Sequence, residues 1–195
     1  MVQTSVSSPL PSLPTEEDIE QALAVTEQWA EGDEENDADA RPHLLLTLLL
    51  ETGIKKGEAM SIVPNHIDRS DAESPFLFVR YKDPSKRYKE RKIGLSEEWL
   101  DTLDDYLAQY EPPDTLFTCT ARNLEYILSD VAEEAGLDKS LLSFENLRWA
   151  SALGDFRREV EGDLIRQRLG LSKVTWRETR NKLEKLARQQ EETTV

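Results

Sequence analysis

The chain of 195 residues contains one cysteine, Cys119, which excludes an intrachain disulfide and any cysteine-rich metal site. A reducing compartment suits such a chain, and a cytoplasmic location is expected. Histidine is as scarce. His43 and His66 are too few and too badly spaced to form a metal site with the carboxylates, so both read as structural and no metal or cofactor is implied. Long apolar runs are also missing. The longest, Leu44 to Leu50, is interrupted by Thr47 and falls far short of the roughly 20 residues that span a bilayer. The N-terminus has neither the basic nor the apolar region of a secretory signal, so no membrane partner is expected. Tyrosine runs out early: the last of five is Tyr126, leaving the final third of the chain without a phenolic nucleophile.

Positive charge is in short supply as a whole, with 24 Lys and Arg against 39 Asp and Glu and a net charge of −15. That balance argues against a polyanionic partner, but it conceals a strong segregation. Residues 1–40 carry no Lys or Arg, and residues 96–138 carry only Arg122. Residues 76–95 and 145–190 are basic islands, so the local potential there is the reverse of the average.

Hydrophobic content of 38% suffices for one core, and a mainly α, α+β domain is expected in which helices surround a buried central helix beside a small antiparallel sheet. Residues 1–14, with Pro9, Pro11 and Pro14, read as a disordered leader. Residues 15–40 read as an acidic helix capped by Thr15 and ended by Gly32, followed by a linker. The domain itself is expected over 41–190, with 191–195 as a tail. Pro42 and Gly53 frame the central helix, which is apolar almost all round, and a short helix is expected from there to Val63. Phe76–Tyr81 and Arg91–Leu95 read as an antiparallel pair joined by a loop rich in Lys82, Lys86, Arg87 and Lys89. Helices follow from Ser96 and from Thr120, then from about Asn146 to Glu159 and from Asp163 to Leu169. A last helix carries a seam of Trp176, Leu183 and Leu186, which is expected to dock on its own domain or on another subunit and so to support a homo- or hetero-oligomer.

Three segments speak about function. They are Thr52-Gly53-Ile54-Lys55-Lys56-Gly57-Glu58, Glu145-Asn146-Leu147-Arg148, and Leu169-Gly170-Leu171. In that order, with two strands between the first and second, they resemble the catalytic domain of the tyrosine recombinase (phage integrase) family over roughly residues 42–188. The family pattern runs Thr-Gly-Leu-Arg-x-x-Glu, a lysine on a β-hairpin, His-x-Leu-Arg, Leu-Gly-His, and a nucleophilic tyrosine. The resemblance sets Lys55 at the first arginine, Glu145 at the first histidine, Leu171 at the second and Arg180 at the tyrosine, while Arg148 is retained. Lys82 is the best match to the hairpin lysine, with Lys86 and Lys89 as alternatives. Glu58 matches a glutamate whose implied role is support.

The resemblance therefore implies a DNA partner but a degenerate catalytic set. A catalytically inactive protein of DNA integration and recombination is expected, binding DNA weakly and with sequence tolerance through Lys55, Lys82, Lys86, Arg87, Lys89 and Arg148. Two other functions stay open: a protein-interaction module on the same fold without DNA, and an active recombinase that takes its tyrosine from a partner in trans. Lys55 and Lys56 read equally as paired surface lysines or as phosphate ligands, and hairpin lysines also serve simply to block edge-to-edge aggregation.

Overall fold

In the structure, a computed structural model, residues 10–34 and 36–193 are described. Residues 1–9 of the expected leader and 194–195 of the expected tail lie outside them. The element order is α1 (Glu16–Glu31), α2 (Arg41–Thr52), α3 (Lys56–Ala59), β1 (Ile67–Asp68), β2 (Phe76–Val79), β3 (Arg91–Gly94), α4 (Glu97–Tyr110), α5 (Ala121–Glu134), α6 (Phe144–Arg157), α7 (Gly162–Arg168) and α8 (Lys173–Thr193).

The sequence explains where α2 sits. Leu44, Leu45, Leu46, Leu48 and Leu49 are at most 1% exposed, because the helix is apolar on every side and is covered by α1, α4, α5 and α6. Its end is set by Gly53 in the left-handed region at φ 61°, whose N–H closes back on the Leu49 carbonyl. α1 packs on α2 and α5, burying Ala22 and Thr26 completely, so the acidic segment 15–40 contributes to the same core as the rest. Its charges stay outside, and a capping box between Thr15 and Asp18 starts the helix (3.1 and 2.7 Å). A single hydroxyl starts each of α4, α5 and α6: Ser96, Thr120 and Ser143 accept from the N–H three residues on.

The sheet has three antiparallel strands in the order β1-β2-β3, with Leu77 opposite Ile93 and Val79 opposite Arg91. β1 is a strand of two residues, too short to show any periodicity, and escapes a reading of the sequence. Leu77, Val79 and Ile93 turn inward to the core. The connection from β2 to β3 is a 3-10 turn over Pro84–Lys89, opened by Asp83, whose carboxylate accepts from Ser85 N–H at 2.9 Å. Two further boundaries differ from the sequence reading. The helix expected to reach Val63 stops at Ala59, with a 3-10 turn at Pro64–His66, and α6 begins at Phe144 because Ser143 is its cap.

A second, smaller apolar cluster joins the back of α6 to α7 and α8 through Ala152, Leu153, Ile165, Leu169, Leu183 and Leu186. Leu183 is 0% and Leu186 5% exposed within the single chain, so the seam read on the last helix is filled in cis. Trp176 lies against Gly162, where an added Cβ would come within 3.1 Å of the indole. Leu10 and Leu13 pack on this same cluster.

Candidate functional site

Where the end of α2, the start of α6 and the end of α7 meet, three arginines converge. Arg91 is the most tightly held. Its Nη1 and Nη2 donate to the two Glu58 oxygens at 2.8 and 3.0 Å, and its Nε donates to the Arg168 carbonyl at 2.6 Å. The paired side chains are 9% and 4% exposed. Glu58 also accepts from the Tyr81 hydroxyl and, at 2.9 Å, from the Lys55 N–H. Burial alone would raise the Glu58 pKa, but the Arg91 hydrogen bonds and charge outweigh it and bring it down to about 2. Burial and the bond to Glu58 together push the Tyr81 phenol up to about 12. Gly170 is forced by this arrangement: at φ 65°, a Cβ there would sit 2.9 Å from Arg91 Nη1.

Arg168 forms the second pair, with Asp155 at 2.7 Å, and donates to the Ser151 hydroxyl at 2.9 Å and the Glu51 carbonyl at 3.1 Å. Arg148 is different. It donates to the Gly53 carbonyl and, at 2.6 Å, to the Leu169 carbonyl, and no carboxylate lies within ion-pair distance among the described residues. Burial is the main reason its pKa falls to about 10, with the charges of Arg91 and Arg168 adding to the effect; the guanidinium is still charged at neutral pH. Lys55, in front of α3, has its pKa lowered by burial and then by Arg148, with Lys89 and Arg91 contributing.

Arg148 and Lys55 line a cavity of about 360 Å³ together with Lys56, Glu145, Phe144, Trp149, Leu169, Leu171 and Thr179. Of the residues singled out from the sequence, Lys55, Glu145, Arg148 and Leu171 thus come together. Lys82, Lys86 and Arg87 are exposed on the turn and do not line the cavity, and Lys86 lies 3.9 Å from Asp83. Lys89 is half-buried at the end of that turn, its carbonyl receiving Arg91 Nη1 at 3.2 Å, and its charge acts on Lys55 together with that of Arg91. Arg180 is exposed and paired with Glu184 at 3.2 Å; α8 turns Thr179 to the cavity instead. Among the described residues no group of three or more His, Cys, Asp or Glu could hold a metal ion, and no helix is long and apolar enough to cross a membrane.

Arg91, Arg168, Phe144 and Trp149 were not singled out from the sequence. A signal for Arg91 was present. Period two along β3 puts it on the same face as Ile93, and an arginine on the buried face of a strand requires a carboxylate partner.

The sequence pattern of the phage integrase family matches residues 14–176. Three solved structures share the fold at low identity. The XerA recombinase has a TM-score of 0.71 and 20% identity, covering 97% of this chain and 66% of that one. The XerH site-specific recombinase in a post-cleavage complex with palindromic difH substrate has a TM-score of 0.75 and 20% identity, covering 100% and 56%. The Tn1549 transposon integrase in complex with transposon right end DNA has a TM-score of 0.70 and 15% identity, covering 91% and 63%. The chain therefore spans between about half and two thirds of these proteins. Comparison with curated proteins gave no sequence match.

Proposed function

The chain belongs to the phage integrase family, and from that premise we propose that it is a DNA-binding protein of DNA integration and site-specific recombination that holds a backbone phosphate without cleaving the strand. The observation that carries this reading is Arg148. A desolvated guanidinium fixed by two carbonyls, with no carboxylate of its own and with Lys55 beside it, is a cation built to receive an external anion. Arg91 and Arg168 already have their counter-ions and serve to hold the surrounding carbonyls in place. Lys89 lends positive potential to the same place, and the exposed Lys82, Lys86 and Arg87 extend it along the path of a DNA backbone. XerH is described bound to its difH substrate and the Tn1549 integrase in complex with transposon right end DNA, and a duplex is the class of partner proposed here.

Strand cleavage by this family needs a tyrosine attacking the phosphorus, and none of the five tyrosines lines the cavity among the described residues. Tyr81 is committed to Glu58 and has its pKa pushed up to about 12, far from a usable phenolate. α8 presents Thr179 to the cavity, with its hydroxyl donating to the Thr175 carbonyl at 3.0 Å. In this reading, Arg148 contributes binding without chemistry.

An electrophoretic titration with duplex DNA over a salt series tests the binding. The parent should show an affinity falling steeply with salt, and Arg148→Met should weaken it by about ten-fold, the loss expected for a charge-assisted hydrogen bond of roughly 1.5 kcal/mol. No binding at low salt would overturn the reading. A nicked suicide substrate tests the chemistry: a protein–DNA band surviving denaturant would refute the absence of cleavage, and the same assay with an added recombinase examines a tyrosine supplied in trans.

A further inference from the structure

Glu145 is anomalous in a site that takes only phosphate. It stands exposed on the first turn of α6, on the wall of the same cavity as Lys55, Lys56 and Arg148, and no hydrogen bond or ion pair engages it among the described residues. A carboxylate there suits the positive end of the helix but repels a phosphate, and no side chain donates to it among the described residues. The rest of the wall is equally unsuited to a phosphate alone: Phe144, Trp149, Ala152, Leu169 and Leu171 are apolar, and the volume of about 360 Å³ falls within the range of small-molecule pockets. An occupant must therefore join three features, an anion for the cations, a flat apolar body for the aromatic wall and a hydrogen-bond donor for Glu145.

An unpaired nucleotide has all three. Resting on the DNA-binding reading above, we propose that the cavity receives one unpaired, amino-bearing base of a DNA strand whose adjacent phosphate lies on Lys55 and Arg148. The base packs against Trp149 and Phe144 as bases do on the aromatic platforms of single-strand binders. Its exocyclic amino group donates to Glu145, the acceptor role carboxylates play toward cytosine N4. Thymine offers a carbonyl oxygen at that place and is repelled. Lys182, with Nζ 5.9 Å from the Trp149 ring centroid, adds positive potential at the aromatic wall. Charge complementarity favours this occupant over an aromatic side chain of a partner protein, which would leave Lys55 and Arg148 without an anion.

Fluorescence anisotropy of the full chain tests it, with an intact duplex and with duplexes of the same sequence carrying a one-nucleotide gap opposite cytosine or thymine. The cytosine gap should bind about ten-fold more tightly than the intact duplex, and several-fold more tightly than the thymine gap. Trp149→Ala should bring the gap-to-duplex ratio close to one, with Trp149→Phe restoring most of it. Glu145→Gln, an exposed change that leaves the fold intact, should abolish the discrimination between cytosine and thymine, because an amide both donates and accepts. Equal affinity for gapped and intact duplex overturns this inference and leaves the DNA reading standing. A gap preference that survives Trp149→Ala also overturns it, as expected if the cavity belongs to a partner's side chain. Absence of binding to every probe removes the DNA reading and this inference with it.

Discussion

Replacing Glu58 by glutamine keeps the shape of the buried group and removes its charge, leaving Arg91 desolvated against a neutral partner. Two routes give the cost. Lowering the Glu58 pKa from 4.5 to about 2 corresponds to roughly 3 kcal/mol at about 1.4 kcal/mol per unit. Breaking a buried pair from one side costs about 3–5 kcal/mol in general. The side chains are only 4% and 9% exposed, so solvent screening does little to reduce either figure. The pH dependence follows in sign: the folded-state pKa is depressed, so the stabilisation is fully present above the unfolded value of 4.5 and is lost as pH falls toward about 2. Urea unfolding followed by tryptophan fluorescence at pH 7 should show Glu58→Gln less stable by about 3 kcal/mol with an unchanged m-value. Between pH 7 and pH 2 the parent should lose about 3 kcal/mol more than the variant. A second substitution, Arg91→Met, should recover part of the loss, since no cation is then buried against a neutral partner. A variant within 1 kcal/mol of the parent at pH 7, with the same acid limb, would refute the assignment of Glu58 and Arg91 as the keystone of the site.

Leu183→Ala should destabilise the chain by about 2–5 kcal/mol, because Leu183 is 0% exposed in the cluster joining α6, α7 and α8. The fall in Tm should be independent of protein concentration and the sedimenting mass unchanged; a concentration-dependent Tm would mean that the seam is completed by another subunit. Gly53→Ala forces a Cβ into the left-handed region at φ 61° and within 3.0 Å of Leu169 Cδ2, and should cost about 1–2 kcal/mol from the backbone before any clash is counted. Calorimetry checks it, and an unchanged Tm would show the turn to be relaxed. Changing Lys82, Lys86, Arg87 and Lys89 to alanine should lower the slope of log affinity against log salt by about 0.9 for each phosphate that these side chains neutralise in the parent. An unaltered slope would make these charges an edge-protection device only.

The sequence by itself determined much of the frame. An all-round apolar stretch between Pro42 and Gly53 has no stable place except the centre, and the hydroxyl residues Ser96 and Thr120 start helices where the backbone needs an acceptor. The resemblance to the family pattern also put Lys55, Glu145, Arg148 and Leu171 into one set, and they line one cavity. Tertiary structure alone decided how the charges are shared. Which of Arg91, Arg148 and Arg168 is left without a carboxylate depends on where Glu58 and Asp155 fall in space, 33 and 13 positions away in the chain from the arginines they bind. It also decided that α8 turns Thr179 and not Arg180 to the cavity, and that Lys89, unlike Lys82, Lys86 and Arg87, is half-buried and acts on Lys55. Local pattern carries periodicity and caps because these are properties of neighbouring residues. The pairing of ions across helices is set by how the elements pack, and it is that pairing which leaves Arg148 open to an external anion.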